Sequence, residues 1–141
     1  MIKRQKAILR FLDGRMIKGY LSAFSPADDS VLIEDERQTA HSVLTKELKG
    51  IFFVKSFVGD KHYKEKKIFR GSPSSGKKVL LKFQDGESMM GYVEGDVPWE
   101  KSFFLESKKK MGFFLRPVDT ESNNIRIFVV ATSISDLSFL G

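Results

Sequence analysis

FLDGRMIKGY (Phe11–Tyr20) and FQDGESMMGY (Phe83–Tyr92) share one spelling: Phe-x-Asp-Gly, four residues, then Gly-Tyr. Asp-Gly between apolar runs is the strongest short hairpin signal, because both residues tolerate the positive φ of a tight turn. Asp13, Gly14, Asp85 and Gly86 are therefore read as turn residues, with strands on either side. Past the turn, Ile17, Gly19, Leu21 and Ala23 fall on one face by the two-residue period of a strand. Glycine weakens a strand interior, so Gly19 and Gly91, each followed by a tyrosine (Tyr20, Tyr92), require a reason. A sharp bend at a barrel corner supplies one.

Sliding the sequence by 72 positions extends the match. Ile8-Leu9 falls on Leu80-Leu81, Pro26 on Pro98, and Val31–Glu34 on Phe103–Glu106. A gapped match sets LKGIFFV (Leu48–Val54) against ISDLSFL (Ile134–Leu140). The period suits two copies of one small domain and is too long for a solenoid. SVLIED, HSVLT and GIFFVKSF complete five short strands in the first copy, which implies a small barrel. In the second copy GFFLRPVDTESNNIRIFVV (Gly112–Val130) reads as strand, turn, strand. The segment Val97–Met111 carries both helix punctuation and, through the repeat, a strand at Phe103–Glu106 with Lys108–Lys110 at a hairpin tip. The expected fold is all-β: a barrel over 1–60, a basic linker over 61–76, and a second barrel with an insertion over 77–141.

Composition narrows the functions. With 141 residues and 13 Phe there is apolar material for a core, and the absence of Cys removes disulfides and thiolate chemistry. The N-terminus lacks the apolar run of a signal peptide and no stretch reaches the length of a membrane span, so a soluble cytoplasmic protein is expected. Lys61–Lys78 holds seven cations against Glu65, a net charge equal to the +6 of the whole chain. Within it, Tyr63 and Phe69 interleave with Lys61, Lys64, Lys66, Lys67 and Arg70. That mixture of rings and cations suits weak, largely sequence-nonspecific RNA or DNA binding. A solvated linker is the plainer reading.

The first copy resembles the Sm-like family: DGRMIKGYLSAFSPADDSVLIED follows its front-half pattern, and Leu48-Lys49-Gly50 resembles the Ile-Arg-Gly step of its second motif. The resemblance implies a strongly bent five-stranded barrel. Where that family stacks and hydrogen-bonds a base, this chain has Ser25, Ala27 and Asp29; Lys49 alone persists as a cation. Most of the chain also resembles an uncharacterised bacterial family of tandem Asp-Gly…Gly-Tyr repeats, which implies a bacterial protein and brings no chemistry. PilZ-like binding of cyclic di-GMP requires Arg-x-x-x-Arg, and here Arg10 and Arg15 stand one residue too far apart.

No catalytic constellation stands out. His41 and His62 have no carboxylate or nucleophile at helpful spacing, Asp28-Asp29 reads as a polar turn, and no metal or cofactor is expected. Protein–protein contact ranks first. Open barrels leave strand edges that invite pairing with a protein partner or a second copy. Two fused copies would satisfy one edge pair internally, as a pseudo-two-fold dimer. The doubled aromatics Phe52-Phe53, Phe103-Phe104 and Phe113-Phe114 place one ring on each strand face, and the outward rings are expected to be covered within the chain.

Overall fold

The computed structural model describes residues 4–57, 77–94, 111–118 and 123–140. They contain ten strands and no α-helix. The first half supplies β1 (Gln5–Phe11), β2 (Met16–Leu21), β3 (Ser30–Asp35), β4 (Ala40–Leu44) and β5 (Leu48–Val54). The second supplies β6 (Lys77–Phe83), β7 (Ser88–Glu94), β8 (Gly112–Pro117), β9 (Asn124–Val130) and β10 (Ile134–Phe139). A 3-10 turn leads into β5 (Thr45–Glu47) and into β10 (Ala131–Ser133).

All ten strands form one antiparallel sheet in the order β10-β6-β7-β8-β9-β5-β1-β2-β3-β4. The expected all-β class holds, and the strands of both halves run on as one continuous open sheet. Its centre is the seam where β5 meets β9, with Ile51 opposite Phe128 and Phe53 opposite Arg126. The reason is the backbone: an edge strand carries a row of unpaired N–H and C=O groups, and pairing two such edges satisfies both. The expected pseudo-two-fold relation is corrected. The last strand of one half pairs with the penultimate strand of the other, so unlike edges meet head to tail.

Both Asp-Gly hairpins form. Gly14 and Gly86 have φ of +94° and +92°, the left-handed region where glycine carries no steric cost. Gly14 N donates to Phe11 O at 3.1 Å and Gly86 N to Phe83 O at 2.9 Å. Farther along, a Cβ on Gly19 would lie 2.2 Å from Glu34 O, and one on Gly91 would lie 2.5 Å from Arg116 O. The strand glycines thus serve the close approach of β3 onto β2 and of β8 onto β7. The strand beside β7 is Gly112–Pro117, so the repeat alignment that matched Val31–Glu34 with Phe103–Glu106 is corrected. Phe103–Glu106 and Lys108–Lys110 lie outside the described residues, as does Val97–Met111 except for Met111.

Two apolar clusters flank the seam. The first gathers Ala7, Leu9, Phe11, Leu21, Val31, Ile33 and Ile51; the second gathers Val79, Leu81, Phe83, Val93 and Leu115. Each borrows from the opposite half. Phe128 and Val130 of β9 complete the first cluster, and Phe52 and Val54 of β5 complete the second. Successive residues on a strand point to opposite faces, so the two interiors lie on opposite sides of the seam. The doubled rings follow from this: Phe53 fills the first interior while Phe52, at 5% exposure, is covered by the other half.

Candidate functional site: the charged seam

β5 lies between β1 and β9, and all seven of its residues are buried. Among them is one cation. The pairing of β1 with β5 sets Arg10 against Gly50 and Phe11 against Leu48, so the register skips Lys49. Such irregularities re-aim a side chain. Lys49, 2% exposed, crosses into the second half. Its Nζ donates to Asp85 Oδ2 at 2.8 Å and to Glu87 Oε1 at 2.5 Å, and lies 4.5 Å from the centroid of the Phe83 ring. Arg10 Nη1 donates to the same Glu87 oxygen at 3.1 Å, with its guanidinium 5.1 Å from the Phe52 ring. The Ser133 hydroxyl lies 2.9 Å from Lys49 O, holding the backbone behind the ammonium.

The electrostatics follow from these contacts. The hydrogen bond from Lys49 holds Asp85 below the usual carboxylate range, helped by the Glu87 backbone N–H. For Glu87, burial pushes upward, but the hydrogen bond from Lys49 and the charges of Arg10 and Lys49 outweigh it, and the net shift is downward. A buried ammonium is tolerated when it is both paired and hydrogen-bonded. Chemically the cluster is a latch: two cations of the first half hold two carboxylates of the second. Lys49 therefore spends its charge inside the chain instead of offering it to a nucleic acid. Of the other residues proposed for that role, Lys61, Tyr63, Lys64, Lys66, Lys67 and Arg70 all lie outside the described residues.

The remaining candidates have local partners. Arg15 Nε donates to Asp13 Oδ2 at 2.7 Å, so the two arginines of the PilZ-like reading, Arg10 and Arg15, are each engaged by a carboxylate. Asp28 Oδ2 accepts from Ser25 N at 2.8 Å, closing the β2–β3 loop. Tyr20 packs edge-on against Phe57 at 5.4 Å, and Tyr92 is buried. His41 corrects the sequence reading, for the β3–β4 hairpin brings its Nε2 within 2.8 Å of Asp35 Oδ2. The His41 contact lowers the Asp35 pKa first, with help from the Thr39 N–H. The pair spans six residues and locks a turn. Among the described residues no group of three or more His, Asp or Glu could hold a metal ion, and no helix is long and apolar enough to cross a membrane.

Sequence reading missed the latch. Its signal lies in the repeat itself: where the first copy has Arg15, two residues after the turn aspartate, the second has Glu87. Arg15 pairs with the aspartate of its own turn, whereas Glu87 pairs with Lys49 and Arg10 of the first half.

A family model described as a family of unknown function (DUF6982) matches residues 3–141, and the chain belongs to that family. Nothing among curated proteins or solved structures matches it.

Proposed function

We propose that this member of the family is a duplicated Sm-like small barrel, bacterial and cytoplasmic, acting as a non-enzymatic interaction module through its strand edges. Duplication is supported by strand order, since β5-β1-β2-β3-β4 recurs as β10-β6-β7-β8-β9. It is supported again by backbone bonds at matching places. Leu12 N donates to Glu47 O as Gln84 N does to Ser133 O, and Thr45 N donates to Asp29 O as Ala131 N does to Met111 O.

The observation that carries the reading is the seam. One edge of this unit already pairs with the unlike edge of another, and among the described residues β4 and β10 are the same two edges, left at the ends of the sheet. Strand addition there draws its affinity from main-chain hydrogen bonds and its specificity from alternate side chains. A second copy of the chain meets the backbone requirement, β10 onto β4. The outer edges lack the seam's large contacts, however. Ser42 stands where β9 has Phe128, Ser138 where β5 has Phe52, and Ser135 where β5 has Lys49. Self-association by this route is therefore weak and reversible, and it leaves the edges open to a different protein.

Sedimentation across a concentration series tests the self-association: reversible growth beyond the monomer is expected, and Ser42→Pro on β4, whose N–H faces away from β3, should abolish it. A strict monomer throughout would refute self-pairing. Capture from lysate with a wild-type chain and a β4 proline variant tests the heterologous partner, which only the wild type should retain. The second reading, nucleic-acid binding, rests on the cation run Lys61–Lys78. Titration of a labelled single-stranded oligonucleotide decides it, since absence of binding at low salt excludes an electrostatic site.

A further inference from the structure

At one end of the first interior, beside the seam, Leu21, Ser22, Phe24, Phe53, Phe114 and Arg126 border a cleft of about 310 Å3. Its apolar wall is aromatic. Phe24 meets Phe128 edge-on at 4.8 Å, and Phe114 lies 6.4 Å from both Phe24 and Phe53. Arg126 stands opposite Phe53 across the β5–β9 seam, its guanidinium carbon 3.7 Å from the Phe114 ring centroid and 5.8 Å from that of Phe53.

Among the described residues, what distinguishes this arginine is partial burial without an anion; Arg37, which also has no ion pair there, is exposed. Arg4, Arg10, Arg15 and Arg116 each have a carboxylate oxygen within 3.8 Å. Arg126 is half-buried among rings and, among the described residues, has no side-chain hydrogen bond and no ion pair. A guanidinium so close to a ring face is held by the ring quadrupole, while its N–H donors point outward in its own plane. That fork matches the two oxygens of a carboxylate or phosphate. The feature belongs to the seam and not to the fold in general. At the corresponding places in the β3–β4 hairpin stand Ala40 and Leu32, with neither the charge nor the rings.

We infer that this cleft is a binding site for a small oxyanion, a carboxylate or phosphate monoester, carried on a planar apolar body. Arg126 takes the oxyanion, and Phe24, Phe53 and Phe114 take the body. The volume sits at the lower end of those that hold small molecules, which suits a single ring system and excludes a dinucleotide. This inference is independent of what the strand edges bind.

The test is an amide-resolved NMR titration of the full chain with benzoate and with phenyl phosphate. Benzyl alcohol serves as the neutral ring and acetate as the ringless anion. At least one aromatic anion should shift Ser22–Phe24, Phe53, Phe114 and Arg126 saturably, with a dissociation constant on the order of 1 mM for so few atoms. Benzyl alcohol and acetate should bind at least about tenfold more weakly. Arg126→Met retains an apolar stem over Phe114 and should lose about tenfold or more. Phe24→Leu should weaken the aromatic anions while leaving the acetate response unchanged, and it serves alone if the arginine variant fails to fold. Absence of saturable shifts with both aromatic anions would overturn the assignment. So would shifts that the variants leave intact, or that acetate reproduces at equal strength.

Discussion

At Asp13-Gly14 and at Asp85-Gly86 the chain makes one hairpin twice. In each, the aspartate Oδ1 accepts from the N–H two residues on, Arg15 at 3.0 Å and Glu87 at 2.9 Å. In each, a cation lies over the phenylalanine that precedes the turn, Arg15 at 4.6 Å from the Phe11 ring and Lys49 at 4.5 Å from the Phe83 ring. The source of the cation differs. The first turn supplies its own, from an exposed neighbour; the second receives one from a buried strand of the other half. The same local chemistry is self-contained at one turn and joins two halves at the other. Two hairpins can thus share one backbone geometry while the residue two places after the aspartate, Arg15 in one and Glu87 in the other, differs in charge and in where its partner lies.

Several substitutions would break or sharpen that comparison. The largest effect is expected where the copies agree. Gly19→Ala and Gly91→Ala each force a Cβ onto a neighbouring carbonyl oxygen and should each cost about 3 kcal/mol in chemical denaturation. Unequal costs would show that the two bends differ. Next comes Lys49→Met, which strips two carboxylates of their buried cation. Because both carboxylates are partly exposed, the cost should be about 2 kcal/mol, below that of a fully buried pair. Asp85→Asn with Glu87→Gln in the same background should recover part of it.

Gly14→Ala and Gly86→Ala meet no atom within 4 Å and are penalised only through φ, so each should cost about 1 kcal/mol. The Asp13 pKa is lowered as the Asp85 pKa is, but by an exposed arginine, so the pH dependence is expected to rest on the second turn. Asp85 and Glu87 have folded-state pKa values held below their unfolded ones, so their contribution is present above the unfolded values. It is lost as pH falls through the folded ones. Thermal midpoints should drop below about pH 4, and Lys49→Met should flatten the drop. Arg15→Met, on an exposed pair, should change stability by less than about 0.5 kcal/mol in the same melts. A loss as large as that of Lys49→Met would cancel the contrast between the turns.

The strands were legible because their signals are local. Asp13-Gly14 and Asp85-Gly86 announce hairpins through backbone preference, and the alternation in Ala7, Leu9, Phe11 announces a buried face. Gly112–Pro117 and Asn124–Val130 read correctly as strands for the same reason. Where the reading slipped, the deciding contact was remote. Phe103–Glu106 matched Val31–Glu34 by composition, yet β8 is the strand that the close backbone approach at Gly91 admits. His41 appeared to have no acid nearby because sequence distance conceals a hairpin rung. Lys49 read as a free cation because nothing in Leu48-Lys49-Gly50 reveals a register skip, or carboxylates arriving from 36 and 38 residues away.

The sequence alone determined the class of structure, since turn-forming glycines and a two-residue apolar period act over a few bonds and depend on no distant partner. It also carried the two Asp-Gly hairpins as a repeated spelling. Only the tertiary structure decided that unlike edges meet at β5 and β9, that each interior is completed by the other half, and that Arg126 stands among rings with no anion beside it among the described residues. Those outcomes are set by which edge groups find hydrogen bonds and which charges find partners after the chain has folded, and both depend on residues far apart in sequence.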